Sequence, residues 1–395
     1  MRLLVLIFVG SILCFGSLYA NTNDSITASL LLKRIQTLQI QKANYFPVGS
    51  FESYREYTMN KGQVKADFNP FFIGLICFTL RNLYLFLDQS DQLIATQIIE
   101  SGAPVINLFK NKNGRDTYNF WTADRKLIFP NSGWLNWFDK SSALPDDLDD
   151  TVISMLALDT DKETAKKVHL LMQGYLNGTF KKINNTYPEY ENMPFYSTWF
   201  GNKMPIDLDI SVLSNILYFV NKYELPYTKA DSASLNLIVQ VLQNKQYLTE
   251  PAYISPWYKR VPLILYHLSR LMQLKSIPAL EIYRPVLIAD AYKSLAETTN
   301  FLDKVMLSTT LYRFGKTPPL IQMESKQSML NLIEEEKFAL FFANLPSYFP
   351  NPYKRWASSL KLGMFNYYTP AYNQLLLLEN VIWKKRHDLA LQKGQ

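Results

Sequence analysis

The stretch Leu144-Pro145-Asp146-Asp147-Leu148-Asp149-Asp150-Thr151 runs directly into the apolar segment Val152-Ile153-Ser154-Met155-Leu156-Ala157-Leu158. It places four carboxylates within five residues at the start of a predicted helix. Carboxylates this close together cannot all ionise without cost. One of them therefore keeps its proton at neutral pH, as an acid catalyst requires, or a cation or backbone N–H groups neutralise the cluster.

Capping is the simplest structural interpretation of these aspartates, because one Asp at the N-cap and others in the first turn stabilise a helix. Four carboxylates exceed what capping uses, so the cluster also predicts a function, either proton donation or the binding of a divalent cation such as Mg²⁺ or Ca²⁺ through oxygen ligands. Asp207-Leu208-Asp209 precedes a second strongly apolar helix in the same way. If both helix starts face one cavity, the chain has two separated carboxylate groups, the arrangement that glycoside hydrolases use.

Helical periodicity recurs along the rest of the chain, whereas alternating strand-like runs are scarce, so the fold is predicted to be all-α. Two segments, 71–87 and 210–220, are apolar nearly all round and should be buried on every side. Pro262 and Pro285 should kink a helix or mark its first turn. Intervals of about 20–45 residues between helix starts favour repeated antiparallel helix pairs. The predicted helices start near Ser25, Asn69, Asp91, Asp149, Lys162, Asp207, Lys229, Ser255, Pro278, Asn300, Ser325 and Tyr372.

The N-terminus has the layout of a secretory signal: Met1-Arg2, an apolar run to Phe15, and small residues up to Ala20. We expect cleavage near Ala20 and export of one domain covering residues 21–395. Cys77 is then the only cysteine, which excludes an internal disulfide and a cysteine-based metal site. No later stretch approaches the roughly 20 uninterrupted apolar residues of a membrane-spanning helix.

The chain carries a formal charge of +7. Lys and Arg are dispersed and form no basic block within a nucleic-acid motif, so a nucleic-acid partner is not expected. The net charge predicts only weak attraction to anionic surfaces such as a membrane.

Long connections between the predicted helices are rich in aromatic residues. Segment 111–140 contains Trp121, Trp134 and Trp137, and segment 187–200 contains Trp199. Structured loops of this length are usually functional. The tryptophans could stack against sugars or surround an isoprenoid, or simply form a lid over the helical core.

Asp147-Leu148-Asp149-Asp150-Thr151 resembles the D-x-D-D-T signature of class II terpene cyclases, and the repeated helix pairs with aromatic loops resemble the single (α/α)6-type toroid of the terpenoid cyclase and prenyltransferase superfamily. The resemblance implies that Asp149 protonates an isoprenoid double bond, with help from Asp147 and Asp150, inside an aromatic cavity. It implies no required cofactor.

Three functional hypotheses follow from the sequence. The first is an exported terpenoid cyclase-like enzyme that takes an isoprenoid, with Trp121, Trp134, Trp137, Trp199, Asp207 and Asp209 around the substrate. The second is a carbohydrate-active hydrolase or lyase on the same fold, with a sugar ligand and carboxylates from both acidic groups. The third is a non-catalytic toroid that binds a small molecule and uses the aspartates structurally or for a cation. A fold does not decide among them.

Overall fold

Helices make up most of this chain, as the sequence predicts. The computed structural model describes residues 26–60, 62–122, 144–201, 204–321, 325–358 and 363–393. The predicted signal segment lies outside these residues. Within them the helices are α1 (Ala28–Leu38), α2 (Pro70–Leu83), α3 (Gln89–Asn107), α4 (Leu148–Leu158), α5 (Lys162–Met172), α6 (Ile210–Lys222), α7 (Lys229–Gln243), α8 (Gln246–Thr249), α9 (Pro251–Ile254), α10 (Val261–Leu274), α11 (Pro278–Glu281), α12 (Arg284–Glu297), α13 (Phe301–Arg313), α14 (Lys326–Glu335), α15 (Tyr353–Ala357) and α16 (Pro370–Lys393).

Six helices contact one another in a closed order. Helix α2 packs on α4, α4 on α6, α6 on α10, α10 on α13, α13 on α16, and α16 returns to α2. Nearly every residue of α4, α6 and α13 is buried, because each of these helices has neighbours on all sides. Helices α3, α7, α12 and α14 pack against one or two members of this group and bury only a stripe of their surface. The predicted all-round burial of segment 210–220 is confirmed.

Local sequence explains where the central helices begin. The Asn69 side chain caps α2 by accepting a hydrogen bond from the Phe71 N–H, and Pro70 supplies the first turn. Pro262 and Pro285 lie in the first turns of α10 and α12, which is one of the two positions expected for them from the sequence.

Helix α2 ends at Leu83, before the end of the apolar segment 71–87 that was predicted to be buried on every side. Leu85 in the following turn is 83% exposed.

The strictly all-α prediction is wrong, because two small antiparallel sheets accompany the helices. One has the order β2-β1-β6-β5, and the other pairs β3 with β4. These strands have two to five residues, too few for an alternating pattern to be visible in the sequence. The strands are β1 (Tyr54–Tyr57), β2 (Val64–Ala66), β3 (Asp146–Asp147), β4 (Trp199–Phe200), β5 (Phe341–Asn344) and β6 (Met364–Tyr368).

Both sheets lie beside the N-terminal ends of central helices. Strand β3 leads directly into α4, and strand β6 is followed after one residue by α16. Among the described helices, none has the length and apolar content needed to cross a membrane.

Gly49 shows how closely the loop after α1 approaches α3. Its φ is +89°, and an added Cβ would lie 2.0 Å from the backbone oxygen of Ser101. Gly114 has a similar φ of +82°, but a Cβ there would meet only open space. We expect Gly114→Ala to cost about 1–2 kcal/mol of unfolding free energy from the left-handed backbone alone. Gly49→Ala should cost clearly more, because backbone atoms must also move.

Urea unfolding of the two variants measures this difference. Equal losses of stability would contradict the assigned close approach between Gly49 and Ser101, whereas a larger loss at Gly49 supports it.

Candidate active site

Strand pairing fixes the acidic stretch against the aromatic loop before α6. Asp146 pairs with Phe200 and Asp147 with Trp199. The Leu148 N–H donates to the Thr198 carbonyl at 2.7 Å. The aspartates and Trp199, more than 50 residues apart in sequence, are therefore held side by side by main-chain hydrogen bonds.

Asp147 is the N-cap of α4. Its Oδ1 accepts hydrogen bonds from the Asp149 N–H at 2.6 Å and from the Asp150 N–H at 3.0 Å. The capping interpretation of the cluster therefore holds for one of the four aspartates. This cap directs the first turn of α4, with Asp149 and Asp150, towards the interior.

Asp147, Asp149 and Asp150 line a cavity at the N-terminal ends of α2, α4 and α6. A water-sized molecule can place its centre in about 140 Å³ of it. Apart from these three aspartates and Thr198, its lining side chains are all aliphatic or aromatic. They are Phe71, Phe120, Trp121, Leu144, Trp199, Met204, Val212, Trp257, Tyr258, Phe341, Phe342, Ala343, Leu345, Tyr348 and Tyr367.

Asp149 is held by two hydrogen-bond donors, one on α6 and one in the loop before α10. Its Oδ1 accepts from Asn215 Nδ2 at 2.7 Å, and its Oδ2 accepts from the Tyr258 hydroxyl at 2.6 Å. Asn215 is itself held by Arg270, whose guanidinium donates to its Oδ1 at 2.5 Å. Burial raises the pKa of Asp149 to about 6, although both hydrogen bonds act in the opposite direction. At neutral pH this carboxyl is therefore mainly ionised.

Asp150 has the opposite environment. It is 2% exposed, and its Oδ2 has no hydrogen-bond partner among the described residues. Burial, followed by the charges of Asp147 and Asp149, raises its pKa well above the ordinary value. Asp147 also has a pKa well above the ordinary range, owing first to burial and then to the charge of Asp149. The cluster thus combines Asp149, whose pKa is raised to about 6, with two buried neighbours whose pKa is raised well above the ordinary value.

Asp146, the fourth carboxylate, does not line the cavity. Its Oδ2 accepts from Asn111 Nδ2 at 2.5 Å and from the Thr117 hydroxyl. It therefore ties the segment after α3 to the start of α4.

Asp207 and Asp209 lie behind the cavity wall and do not line it. Asp209 is the N-cap of α6, and its carboxylate accepts hydrogen bonds from the N–H groups of Ser211, Val212 and Trp257 and from the Ser255 hydroxyl. Asp207 accepts a hydrogen bond from the Trp257 indole N–H. Burial raises the pKa of Asp207 to about 7 and that of Asp209 to about 6. Both aspartates position Trp257.

Two of the four tryptophans proposed from the sequence line the cavity. They are Trp121 and Trp199, and Trp199 packs edge-on against Trp257 with ring centroids 5.9 Å apart. Trp134 and Trp137 lie outside the described residues.

The partners of Asp149 were missed by sequence reasoning. Tyr258 lies in the loop before α10, and Asn215 and Arg270 lie within apolar helices. The sequence does contain a signal for Asn215 and Arg270, because each is a polar residue within an apolar helix. A buried polar side chain needs a hydrogen-bond partner, so such a residue indicates a polar contact in the core.

Among the described residues, no group of three His, Cys, Asp or Glu side chains could hold a metal ion. Compared with known proteins, this chain matches no family model, no curated protein and no solved structure.

The raised pKa of Asp149 has a consequence for stability. The folded protein binds a proton at this carboxyl more tightly than the unfolded chain, so this contribution to stability grows as pH falls from about 7 to about 4 and is lost as pH rises through the folded pKa. Asp149→Asn removes it. We expect the stability difference between about pH 4 and about pH 7 to shrink by up to about 3 kcal/mol.

Urea unfolding at both pH values measures this change. Asp161→Asn is the control, because this exposed N-cap of α5 has a lowered pKa, caused by hydrogen bonds from Thr164, and should change the pH dependence with the opposite sign. An unchanged pH dependence in Asp149→Asn would contradict the assigned environment.

Proposed function

We propose that this chain is a terpenoid cyclase-like acid catalyst that protonates the double bond of an isoprenoid-type substrate in the aromatic cavity. The observation that carries the proposal is a buried carboxyl, Asp150, whose Oδ2 has no hydrogen-bond partner among the described residues, beside an ionisable one, Asp149, in a largely apolar cavity. The closed contact order of α2, α4, α6, α10, α13 and α16 supports the further proposal that the fold is an (α/α)6-type toroid.

Protonation of an alkene needs a carboxyl that keeps its proton at neutral pH and faces an apolar substrate. Two observations support these properties for Asp150: its Oδ2 has no hydrogen-bond partner among the described residues, and burial raises its pKa well above the ordinary value. We therefore propose Asp150 as the immediate donor, in place of the Asp149 that the sequence resemblance implies. Its O–H bond breaks as a new C–H bond forms, leaving a carboxylate and a tertiary carbocation.

Asp149 and the aromatic rings then stabilise the carbocation. The ionised Asp149 carboxylate supplies a negative charge held in place by Asn215 and Tyr258. The faces of Trp121, Trp199 and Phe341 can stabilise a cation in a site that excludes water. Asp149 is also placed to accept the proton that the carbocation loses when a new double bond forms.

The size of the cavity narrows the substrate. Its volume of about 140 Å³ is similar to the ~150 Å³ engineered cavity that binds benzene. We propose that it takes the terminal unit of an isoprenoid, with the branched double bond next to Asp150. A sugar is less well supported, because the lining has few polar groups to replace its hydration and Asp207 and Asp209 do not reach the cavity.

Export after cleavage near Ala20 and activity without a metal belong to the same proposal. So does a weak association with anionic membrane surfaces, which would bring the enzyme close to an apolar substrate.

Deuterium transfer from solvent tests the chemistry without knowledge of the product. The protein is incubated in D2O with isoprenoid alcohols and diphosphates of monoterpenoid to triterpenoid length, and products are analysed by mass spectrometry. Because Asp150 exchanges its proton with solvent, each protonation should add one deuterium to carbon. Asp150→Asn should lower the rate by about 10²–10⁴-fold, the usual contribution of a general acid.

Asp146→Asn is the matched control, since it neutralises a carboxyl in the same stretch that lies outside the cavity. Its rate should stay within a few-fold of the original. No deuterium in any isoprenoid would overturn the proposed function, and an unchanged rate in Asp150→Asn would overturn the assignment of the donor.

A further inference from the structure

A second cavity lies at the opposite ends of the central helices. It is formed near the C-terminal ends of α2, α10 and α13 and by the middle of α16. About 210 Å³ of it is open to the centres of water-sized molecules. Its charged lining side chains are mainly basic, whereas those of the aromatic cavity are acidic: they are Arg270, Arg313, Arg386 and Glu379.

One of these arginines is already neutralised. Arg313 forms a salt bridge with Glu379, and both side chains are almost completely buried. The Tyr266 hydroxyl also donates to Glu379. The single carboxylate of this cavity is therefore fully engaged.

Arg270 is a buried cation without a carboxylate partner. It is 7% exposed, and no acidic side chain of the described residues forms a salt bridge with it. Its one hydrogen bond runs from a terminal guanidinium nitrogen to Asn215, a neutral amide. Among the described residues nothing else accepts a hydrogen bond from its planar N–H fork, and its side chain lines the cavity.

Arg386 lines the same cavity, and two aromatic rings hold its side chain in place. Its guanidinium carbon lies 3.7 Å from the centroid of the Phe86 ring and 4.1 Å from that of Trp383. It too has no salt bridge within the described part of the chain. Three arginines and one glutamate line the cavity, so the described lining has more positive than negative side chains. The carbonyl ends of the surrounding helices offset part of this charge but offer no bidentate partner.

We propose that this cavity binds a small oxyanion, a phosphate or carboxylate group, between Arg270 and Arg386. Two guanidinium forks facing one space match the geometry of such anions. The site is separate from the proposed acid chemistry and does not depend on it. The two cavities are nevertheless connected through Arg270, which holds Asn215 and through it Asp149.

Calorimetric titration of the full chain with sodium phosphate, against sodium chloride at equal ionic strength, tests the proposal. A parallel titration with sodium acetate shows whether a carboxylate binds in the same place. We expect saturable binding of phosphate, acetate or both, beyond any effect of chloride. Arg386→Gln should raise the Kd about tenfold or more, since it removes charge-assisted hydrogen bonds.

Lys385→Gln is the matched control. It removes the same charge from the neighbouring residue, which is exposed, pairs with Asp88 and does not line the cavity. Its Kd should stay close to the original value. Binding of neither anion, or equal weakening in the two variants, would overturn the proposal.

Asp150→Asn separates this site from the proposed acid chemistry. It should leave the affinity for the anion unchanged while abolishing deuterium transfer, so either proposal can fail alone. A large loss of anion binding in Asp150→Asn would overturn the assignment of the anion to the second cavity.

Discussion

The structure around the aromatic cavity depends on one constraint, the burial of carboxylates at helix N-termini. An ionised carboxylate taken out of water costs several kcal/mol unless hydrogen bonds and charges replace its hydration. Asp147 and Asp209 meet this requirement through backbone N–H groups at the starts of α4 and α6. The first turn of α4 and the loop after α9 are arranged around these acceptors, and the aromatic cavity lies between them.

The opposite end of the central helices has the opposite charge. Helix C-termini present unpaired carbonyl oxygens, and the arginines gather there. Arg270 connects the two ends, because it lies on α10 and reaches Asn215 on α6, which in turn holds Asp149 on α4. A chain of hydrogen bonds thus crosses the core from the second cavity to the aromatic cavity. Removing any member leaves a buried polar group without a partner.

Sequence reasoning located the acidic helix start because charge density is a local property. It located the central helices for a similar reason, since apolar periodicity and capping residues such as Asn69 can be read within one segment. The short strands were not predicted, because β3 and β4 are defined only by their pairing with each other. Tyr258 and Asn215 could not be predicted as partners of Asp149, since their distances from it depend on how separate segments of the chain pack together.

The aspartates at the starts of α4 and α6 differ in whether the structure explains their burial. Asp209 accepts four hydrogen bonds, and none of its role requires contact with the cavity. Asp147 caps α4 in the same manner. The side chain of Asp150 accepts no hydrogen bond at either cap, yet it is buried with an oxygen that has no partner among the described residues, at a cost in stability that hydrophobic residues of similar size would avoid. A buried polar group that lowers stability and has no structural role is expected where function requires it. For Asp150, that function would take place in the aromatic cavity beside it.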